Sequence, residues 1–338
     1  MLQQRSIEVL RAIVQEYIAT KEPVGSKTLV DRHDFGVSSA TIRNDMALLE
    51  EENLIAAPHT SSGRVPTDKG YRLFVDCLGE VKPLSTSEKS AIETLLIGSN
   101  DLDEILSNTV RVLSKLTNQM AMVQYPTLGK STVRNLEVLS VTDTKVLLLL
   151  VTDSGRIEQH TIELGQKYEQ TLIDEVRAKL NAVLSGKLLS SVQELIAGFE
   201  DGFAPEKRQV VQRILAGIID SVDANRTEKL IVAGTANLAR RESDFSGSIT
   251  PVLDALEEQV VLLRLLDDAN PTVNVTIGSE QKDAHLQTTS IVTVGYGFEN
   301  NQTGALGVLG PTRMDYAGSM SAVSAVARYI GRFINEGA

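Results

Sequence analysis

The stretch from Pro23 to Tyr71 constrains the fold of this chain more than any other segment. It contains two short helical patterns on either side of a tight turn, and a basic hairpin follows them. Ser26 is placed to cap a first helix over residues 27–32, and Gly36 supplies the freedom in φ that the turn at residues 34–37 often needs. This layout predicts a winged helix-turn-helix, a unit that places one helix in the major groove of DNA.

The second helix of this stretch has two distinct faces. Ser38 or Ser39 can cap it, and a buried face is predicted by the spacing of Ile42, Met46 and Leu49. The opposite face carries Ala40, Arg43, Asn44 and Ala47, with Thr41 at its edge. Arg suits guanine, Asn suits adenine, and small alanines allow close approach to a groove floor. An isolated helix of this kind is more often merely amphipathic, but the adjoining turn and hairpin favour DNA contacts, which we predict for Ser39, Ala40, Thr41, Arg43 and Asn44.

The hairpin supplies a second set of candidate contacts. Residues 54–56 and 64–66 are predicted to be short strands around a loop in which Gly63 fits the turn. Hydroxyl and cationic side chains in and after this loop are suited to phosphate oxygens, and we predict that role for Thr60, Ser61, Ser62, Arg64, Lys69 and Arg72. Thr67 can cap the next helix, from residue 68 to about residue 78. Single basic residues are usually solvated, so their shared location is what indicates a binding surface.

Three sequence blocks in this region resemble a known family. They read EPVGSKTL, GVSSATIRNDM and PHTSSGRVPTDKGYR. The second block is similar to recognition helices of other winged-helix repressors, such as the DeoR type, whereas the third is far more specific. Together with GVLGPTRMDY at residues 307–316, the blocks resemble the heat-inducible transcription repressors HrcA, and the resemblance covers essentially the whole chain.

The remainder of the chain alternates between extended and helical patterns. Antiparallel strands are predicted at residues 136–141, 145–151 and 156–164, and later at residues 272–277, 289–296 and 305–309, before a terminal helix at residues 319–333. We expect both sets of strands to join into one sheet with helices at its back. Between them, helices at residues 168–184, 188–199 and 207–220, a strand at residues 229–235 and a helix at residues 249–266 interrupt the pattern.

These patterns predict an α+β multidomain chain. An N-terminal winged helix-turn-helix domain occupies residues 1–80, and a linker follows at residues 79–87. The resemblance implies a GAF-like antiparallel sheet domain, placed at residues 84–165 and 255–338, with an inserted α/β dimerisation domain at residues 166–254. Polar residues on the predicted strands do not converge on a ligand site, so we expect no cofactor.

Composition and motifs limit the cellular compartment and the reaction types that this chain can be expected to have. The first ten residues lack an apolar signal core, the longest apolar runs are too short to span a bilayer, and there is one cysteine, Cys77, so we expect a cytoplasmic protein. The four histidines are scattered, and neither metal spacing nor GxSxG, HExxH or CxxC occurs, so we expect no enzyme. The loop at residues 234–237 lacks the spacing of a phosphate-binding loop. The net charge of −11, and nine Lys/Arg against twelve Asp/Glu in residues 1–80, predict weak nonspecific DNA binding.

The resemblance implies a function. It indicates a homodimeric repressor of class I heat-shock operons, the groE and dnaK type, that binds the CIRCE inverted repeat and is kept active by the GroEL chaperonin. Two recognition helices related by a two-fold axis would read the two halves of such a repeat. The alternative is a winged-helix regulator controlled by a small ligand in the GAF-like domain. A metabolic enzyme with a DNA-binding tail is poorly supported, because no catalytic constellation occurs.

Overall fold

The structure is a computed structural model that describes residues 3–59, 62–78, 102–126, 131–153, 157–224, 229–245, 247–298 and 301–336. Within these ranges the chain mixes helices with antiparallel sheets, as the predicted α+β class requires. The helices are α1 Gln4–Thr20, α2 Ser26–Arg32, α3 Ser39–Glu51, α4 Asp68–Asp76, α5 Leu102–Thr117, α6 Gln170–Leu184, α7 Val192–Leu195, α8 Pro205–Ala224, α9 Thr235–Arg240, α10 Thr250–Glu257, α11 Gln259–Asp267 and α12 Tyr316–Glu336. The strands are β1 Ile55–Ala56, β2 Val65–Pro66, β3 Met120–Gln124, β4 Val133–Thr142, β5 Lys145–Thr152, β6 Ile157–Glu163, β7 Leu230–Ala233, β8 Asn274–Ile277, β9 Thr289–Phe298 and β10 Asn301–Pro311.

The N-terminal unit, residues 3–78, consists of α1 to α4 and the β1–β2 ribbon. Its helices pack around a common apolar centre in which Ile13, Leu29 and Ile42 are fully buried. Burying each such side chain stabilises the fold by about 1.5–3 kcal/mol. The short α2 therefore depends on tertiary packing, because a helix of 7 residues is marginal by itself.

A central sheet of five strands, in the order β7-β3-β10-β9-β8, follows the N-terminal unit. Alternate side chains of β3 enter different cores. Ala121 and Val123 pack on the side of α5 and α12, whereas Met120 and Met122 pack on the side of α9, α10 and α11. Because both faces are covered, β3 is buried along its whole length.

The strands β4, β5 and β6 form a separate sheet of three strands. One face of this sheet packs against α6, α7 and α8 around a core of its own. The expectation that residues 136–164 would join the later strands is therefore wrong. Alternating hydrophobicity shows that one face of a strand is buried, but it does not identify the neighbouring strand.

Two further expectations need correction. The helix expected at residues 249–266 is two helices, since Glu258 is extended between α10 and α11. The strand expected inside the insertion, β7, is instead an edge of the central sheet. The linker predicted at residues 79–87 lies outside the described residues.

The N-terminal unit is joined to the central sheet by polar contacts from α1 and α4. The Asp68 carboxylate accepts a hydrogen bond from the backbone N–H of Ser279 at 2.8 Å. The Lys21 ammonium lies 2.7 Å from the carboxylate of Asp244, which also pairs with the buried Arg313. We refer to these contacts, with the Arg72 ion pair described below, as the domain junction.

Candidate nucleic-acid interface

Helix α3 is built as the sequence predicts. The Ser38 hydroxyl accepts a hydrogen bond from the backbone N–H of Thr41 at 3.3 Å and so caps the first turn. The predicted burial of Ile42, Met46 and Leu49 is confirmed, since each is at most 7% exposed. These contacts fix which side of α3 faces the protein and leave the other side outside.

The outward side of α3 contains the predicted DNA-contacting residues of the helix. Ser39, Ala40, Arg43 and Asn44 are exposed, as is Ala47, whereas Thr41 is half-buried beside the capping hydroxyl. We call Ala40, Arg43, Asn44 and Ala47 the recognition face. Its two polar side chains, those of Arg43 and Asn44, make no hydrogen bond or ion pair with any residue that the structure describes.

An ion pair behind α3 fixes the orientation of this face. Asp45 is only 2% exposed, and its carboxylate accepts hydrogen bonds from Arg5 Nε at 2.7 Å and Ser6 Oγ at 3.0 Å. The hydrogen bond that Arg5 donates to the Asp45 carboxylate raises the pKa of the Arg5 guanidinium. The sequence analysis missed this pair; an Asp on the apolar side of a helix was the available signal, because a buried carboxylate requires partners.

The β1–β2 ribbon stands next to α3. Ile55 pairs with Pro66 and Ala56 with Val65, and Arg64 continues the pairing through two backbone hydrogen bonds of 2.9 Å to Val24. Gly63 permits this approach, since a Cβ there would lie 2.6 Å from the backbone of Val24. The ribbon is thus tied to the segment that precedes α2.

The predicted ribbon residues differ in their surroundings. Ser62 is half-buried, and its hydroxyl donates to the backbone carbonyl of His59 at 2.7 Å. Arg64 Nε donates to the Glu50 carboxylate at 3.0 Å, so one edge of this guanidinium is already bonded. Thr60 and Ser61 lie outside the described residues.

Lys69 and Arg72 each donate hydrogen bonds to other parts of the chain. The ammonium of Lys69, which is exposed, donates to the carbonyl of Glu52 at 2.8 Å. Arg72 instead points to the central sheet, where its Nε donates to Glu280 Oε1 at 2.7 Å and its Nη2 donates to the carbonyl of Val275. The structure thus gives Arg72 a partner within the chain, where the sequence predicted a phosphate.

A concave surface brings some of the candidates together. It encloses about 330 Å³ between α3, the start of α2 and the ribbon, and it is lined by Arg43, Ala47, Glu50, Ser62 and Arg64, among others. Arg43 and the ribbon therefore face one depression. Ser26 also lines it, which the sequence had suggested only as a cap.

Lys27 is a candidate that the sequence analysis missed. In the described residues of the N-terminal unit, only Lys27 and Arg43 among the Lys and Arg side chains make no hydrogen bond or ion pair with described residues. Lys27 is exposed in the first turn of α2. In the sequence Lys27 resembles any solvated surface lysine. It stands out only in the structure, where nearly all other Lys and Arg side chains of the N-terminal unit have partners.

A second cavity of about 390 Å³ lies between α11, β8 and the loop at residues 280–286. Its apolar lining includes Leu265 and Ile291, and its polar lining includes Arg264, Glu280 and Gln281. Gln281 is 6% exposed, and its Nε2 has no hydrogen-bond partner in the structure. Elsewhere in the described ranges, no cluster of His, Cys, Asp or Glu suits a metal ion, and no helix there is long and apolar enough to cross a membrane.

Known proteins resemble this chain along its whole length. The heat-inducible transcription repressors HrcA of Acidothermus cellulolyticus, Leifsonia xyli subsp. xyli and Streptomyces avermitilis are 51%, 50% and 50% identical to it, and each match covers 99% of this chain and 100% of the relative. A family model described as the HrcA protein C terminal domain matches residues 103–320. A solved structure of a hypothetical protein, determined at 2.2 Å resolution, has a TM-score of 0.68, 23% identity and 100% coverage of both chains, which shows the fold alone.

These relatives establish the class of the protein, which is a transcription repressor and not an enzyme. The repression concerns the heat-shock response. The chain belongs to the HrcA family of heat-inducible transcription repressors.

Proposed function

We propose that residues 3–78 form a winged helix-turn-helix that inserts α3 into the major groove of operator DNA. The observation that carries this proposal is that Arg43 and Asn44 are exposed without a described partner, while Asp45 and Ile42 hold the opposite side of α3 in place. Free donors on a fixed helix suit base edges, because bidentate contacts to guanine or adenine demand a defined orientation.

The phosphate contacts would come from the surroundings of α3. Ser62, Arg64 and Lys69 keep the phosphate role that the sequence predicts, as do Thr60 and Ser61, while Ser39 and Thr41 stay among the predicted DNA contacts of α3. Lys27 joins this set, since the first helix of a helix-turn-helix crosses the sugar-phosphate backbone. Arg72 leaves the set, because Glu280 and the carbonyl of Val275 use its guanidinium.

The remaining units would assemble two copies of the chain. We assign the central sheet to a GAF-like domain and the unit at residues 131–224, in place of residues 166–254, to an inserted dimerisation domain. Seven large apolar side chains are exposed in the described chain, and five of them belong to this unit. They are Leu139, Val141, Ile157, Leu188 and Leu195. A second copy is the occupant that suits them, because an inverted repeat needs two recognition helices related by a two-fold axis.

The operator would be the CIRCE inverted repeat of groE- and dnaK-type operons, and the GroEL chaperonin would keep the repressor active in the cytoplasm. An electrophoretic mobility shift tests both steps, with full-length protein, a CIRCE duplex and a scrambled duplex, each with and without chaperonin. We expect preference for CIRCE that increases with chaperonin. Equal binding to both duplexes would reject the operator, and equal CIRCE binding in both conditions would reject the chaperonin step.

The ligand-controlled alternative has one observation in its favour. The 390 Å³ cavity lies within the usual size range for small-molecule sites, and the buried Gln281 amide lacks a partner. Glu280 connects the cavity wall to Arg72 of the N-terminal unit. This alternative predicts a metabolite that raises the melting temperature of the wild type and changes CIRCE affinity. A metabolite screen without such an effect, together with chaperonin-dependent binding, would reject it.

A further inference from the structure

Glu50 lies among the groups that the proposed function assigns to DNA. It follows Arg43 by seven residues on α3, which is about two turns, and so it shares the side of the helix that carries Arg43 and Ala47. All three residues line the 330 Å³ concave surface beside the ribbon. A carboxylate there is unexpected, because DNA presents a dense array of negative charge.

The carboxylate of Glu50 engages Arg64 directly. Glu50 Oε2 lies 3.0 Å from Arg64 Nε and 2.9 Å from Arg64 Nη2. On the far side of the guanidinium, Nη1 donates to the backbone carbonyl of Ser62 at 3.1 Å. The two hydrogen bonds use two of the five guanidinium N–H groups, so other N–H groups stay available to a phosphate oxygen.

These contacts affect both the orientation and the charge of Arg64. Two anchors restrict the guanidinium to one position at the base of the ribbon, although its side chain remains 28% exposed. The adjacent carboxylate offsets its positive charge. An Arg held in this way can still donate a hydrogen bond to a phosphate in one defined position. It attracts DNA little from a distance, because two opposite charges in contact nearly cancel beyond about 8 Å.

We propose that Glu50 is a positioning residue that sets the specificity of DNA binding by holding Arg64 and cancelling its charge. This inference rests on the proposed function. On nonspecific duplex, the Arg64–Glu50 pair carries almost no net charge and attracts the backbone little, so binding stays weak. On the operator, contacts from Arg43 and Asn44 bring one phosphate to the position that the anchored Arg64 can reach.

Glu50→Gln tests the inference, with Glu51→Gln as the matched control. Glu51 is the next residue of the same helix, it is exposed, and its side chain makes no hydrogen bond or ion pair with described residues. Both changes remove one negative charge, and in Glu50→Gln the new side-chain amide would still offer an oxygen to Arg64. Fluorescence anisotropy over a salt series would compare full-length variants on CIRCE and scrambled duplexes, and thermal unfolding would verify that each variant is folded.

For Glu50→Gln we expect affinity for the scrambled duplex to rise about two- to fivefold, the range of an exposed ion-pair energy. The slope of log K against log salt should steepen by about one. The preference for CIRCE should fall by the same factor, and Arg64→Ala should abolish the effect of Glu50→Gln. If Glu50→Gln and Glu51→Gln bind DNA alike, the proposed role of Glu50 is overturned, whereas the proposed function is not. A wild type without preference for CIRCE would instead overturn the proposed function.

Discussion

Arg72 of α4 forms a two-pronged ion pair with Glu280, a residue 208 positions later in the chain. The Arg72 side chain is 30% exposed and also pairs with Asp76 one turn further along α4. The hydrogen bonds that Arg72 donates to the Glu280 carboxylate raise the pKa of Arg72. A residue that the sequence assigns to DNA thus belongs to the domain junction, and this difference can be measured.

Arg72→Ala should leave the number of phosphate contacts unchanged. We expect the salt slope of operator binding to equal that of the wild type, because Arg72 is bonded within the chain. Hydrogen exchange in α4 should increase, since the domain junction loses an anchor. The comparison is Lys69→Ala, which should reduce the slope by about one. A reduced slope for Arg72→Ala would restore its predicted role.

The Glu280 carboxylate should make the domain junction sensitive to acid. Burial opposes ionisation, but hydrogen bonds from Arg72 and from the backbone N–H of Ile277 prevail and lower the pKa of Glu280. Because the pKa of Glu280 is lower in the folded chain, its ionised carboxylate stabilises the fold at pH values above its unfolded pKa of about 4.3. This stabilisation is lost as the pH falls through the folded pKa. The contribution is at most about 1 kcal/mol, because this side chain is 38% exposed.

The corresponding measurement is the melting temperature of the wild type and Glu280→Gln between pH 7 and pH 3. We expect the wild type to melt higher from neutral pH down to about pH 5, and the difference to shrink steadily as the pH falls below about 4.3. Glu257→Gln is the control, since Glu257 is exposed without a described partner. A difference that grows on acidification would contradict the sign.

Arg43→Ala and Asn44→Ala should each weaken operator binding by about 1–3 kcal/mol and relax the preference at one base position. The reason is that each side chain is free on the recognition face. Binding to a set of single-base operator variants measures the effect. Leu48→Ala, an exposed residue one turn further along α3, should change neither quantity. Unaltered base preference in both variants would show that another surface reads the operator.

Gly63→Ala should disturb the ribbon. The added methyl group would lie 2.6 Å from the backbone of Pro23 and Val24, and backbone cannot move aside as a flexible side chain can. Overpacking of this kind costs about 1–3 kcal/mol, so we expect lower thermal stability and weaker operator binding. Gly202→Ala is the control, since a Cβ there meets nothing within 4 Å. Equal melting temperatures for the two variants would mean that the ribbon relaxes freely.

Leu139→Lys should separate the proposed dimer without unfolding the chain. Leu139 is 42% exposed on the outer face of the three-stranded sheet, opposite Leu147. A charge there costs little in a monomer but opposes an apolar interface. Analytical ultracentrifugation would compare it with Val260→Lys on α11, where the replaced side chain is 57% exposed. A Leu139→Lys variant with the mass of the wild-type assembly would place the interface elsewhere.

Local patterns predicted local structure well. The start of α3 after Ser38 and the burial of Ile42, Met46 and Leu49 follow from local patterns, because neighbours in sequence are neighbours in space within one helix. Pairings between segments far apart in the chain could not be predicted from such local patterns. The partner of Arg72 is 208 residues away, and β4 to β6 have a helix layer of their own. No local signal specifies such partners, so the contact of Arg72 with Glu280 was not predicted and the single-sheet expectation was wrong.

The central sheet shows how the three-stranded unit is attached. The chain leaves after β3 and returns at β7, and these strands are paired, with Gln124 opposite Leu230 and Tyr125 N–H bonded to the carbonyl of Lys229 at 2.8 Å. The end of β3 and the start of β7 are therefore adjacent, as in a β-hairpin, and a short turn could join them. A different unit could therefore be inserted at this point, or the present one removed, while the strand pairing of the central sheet stays intact.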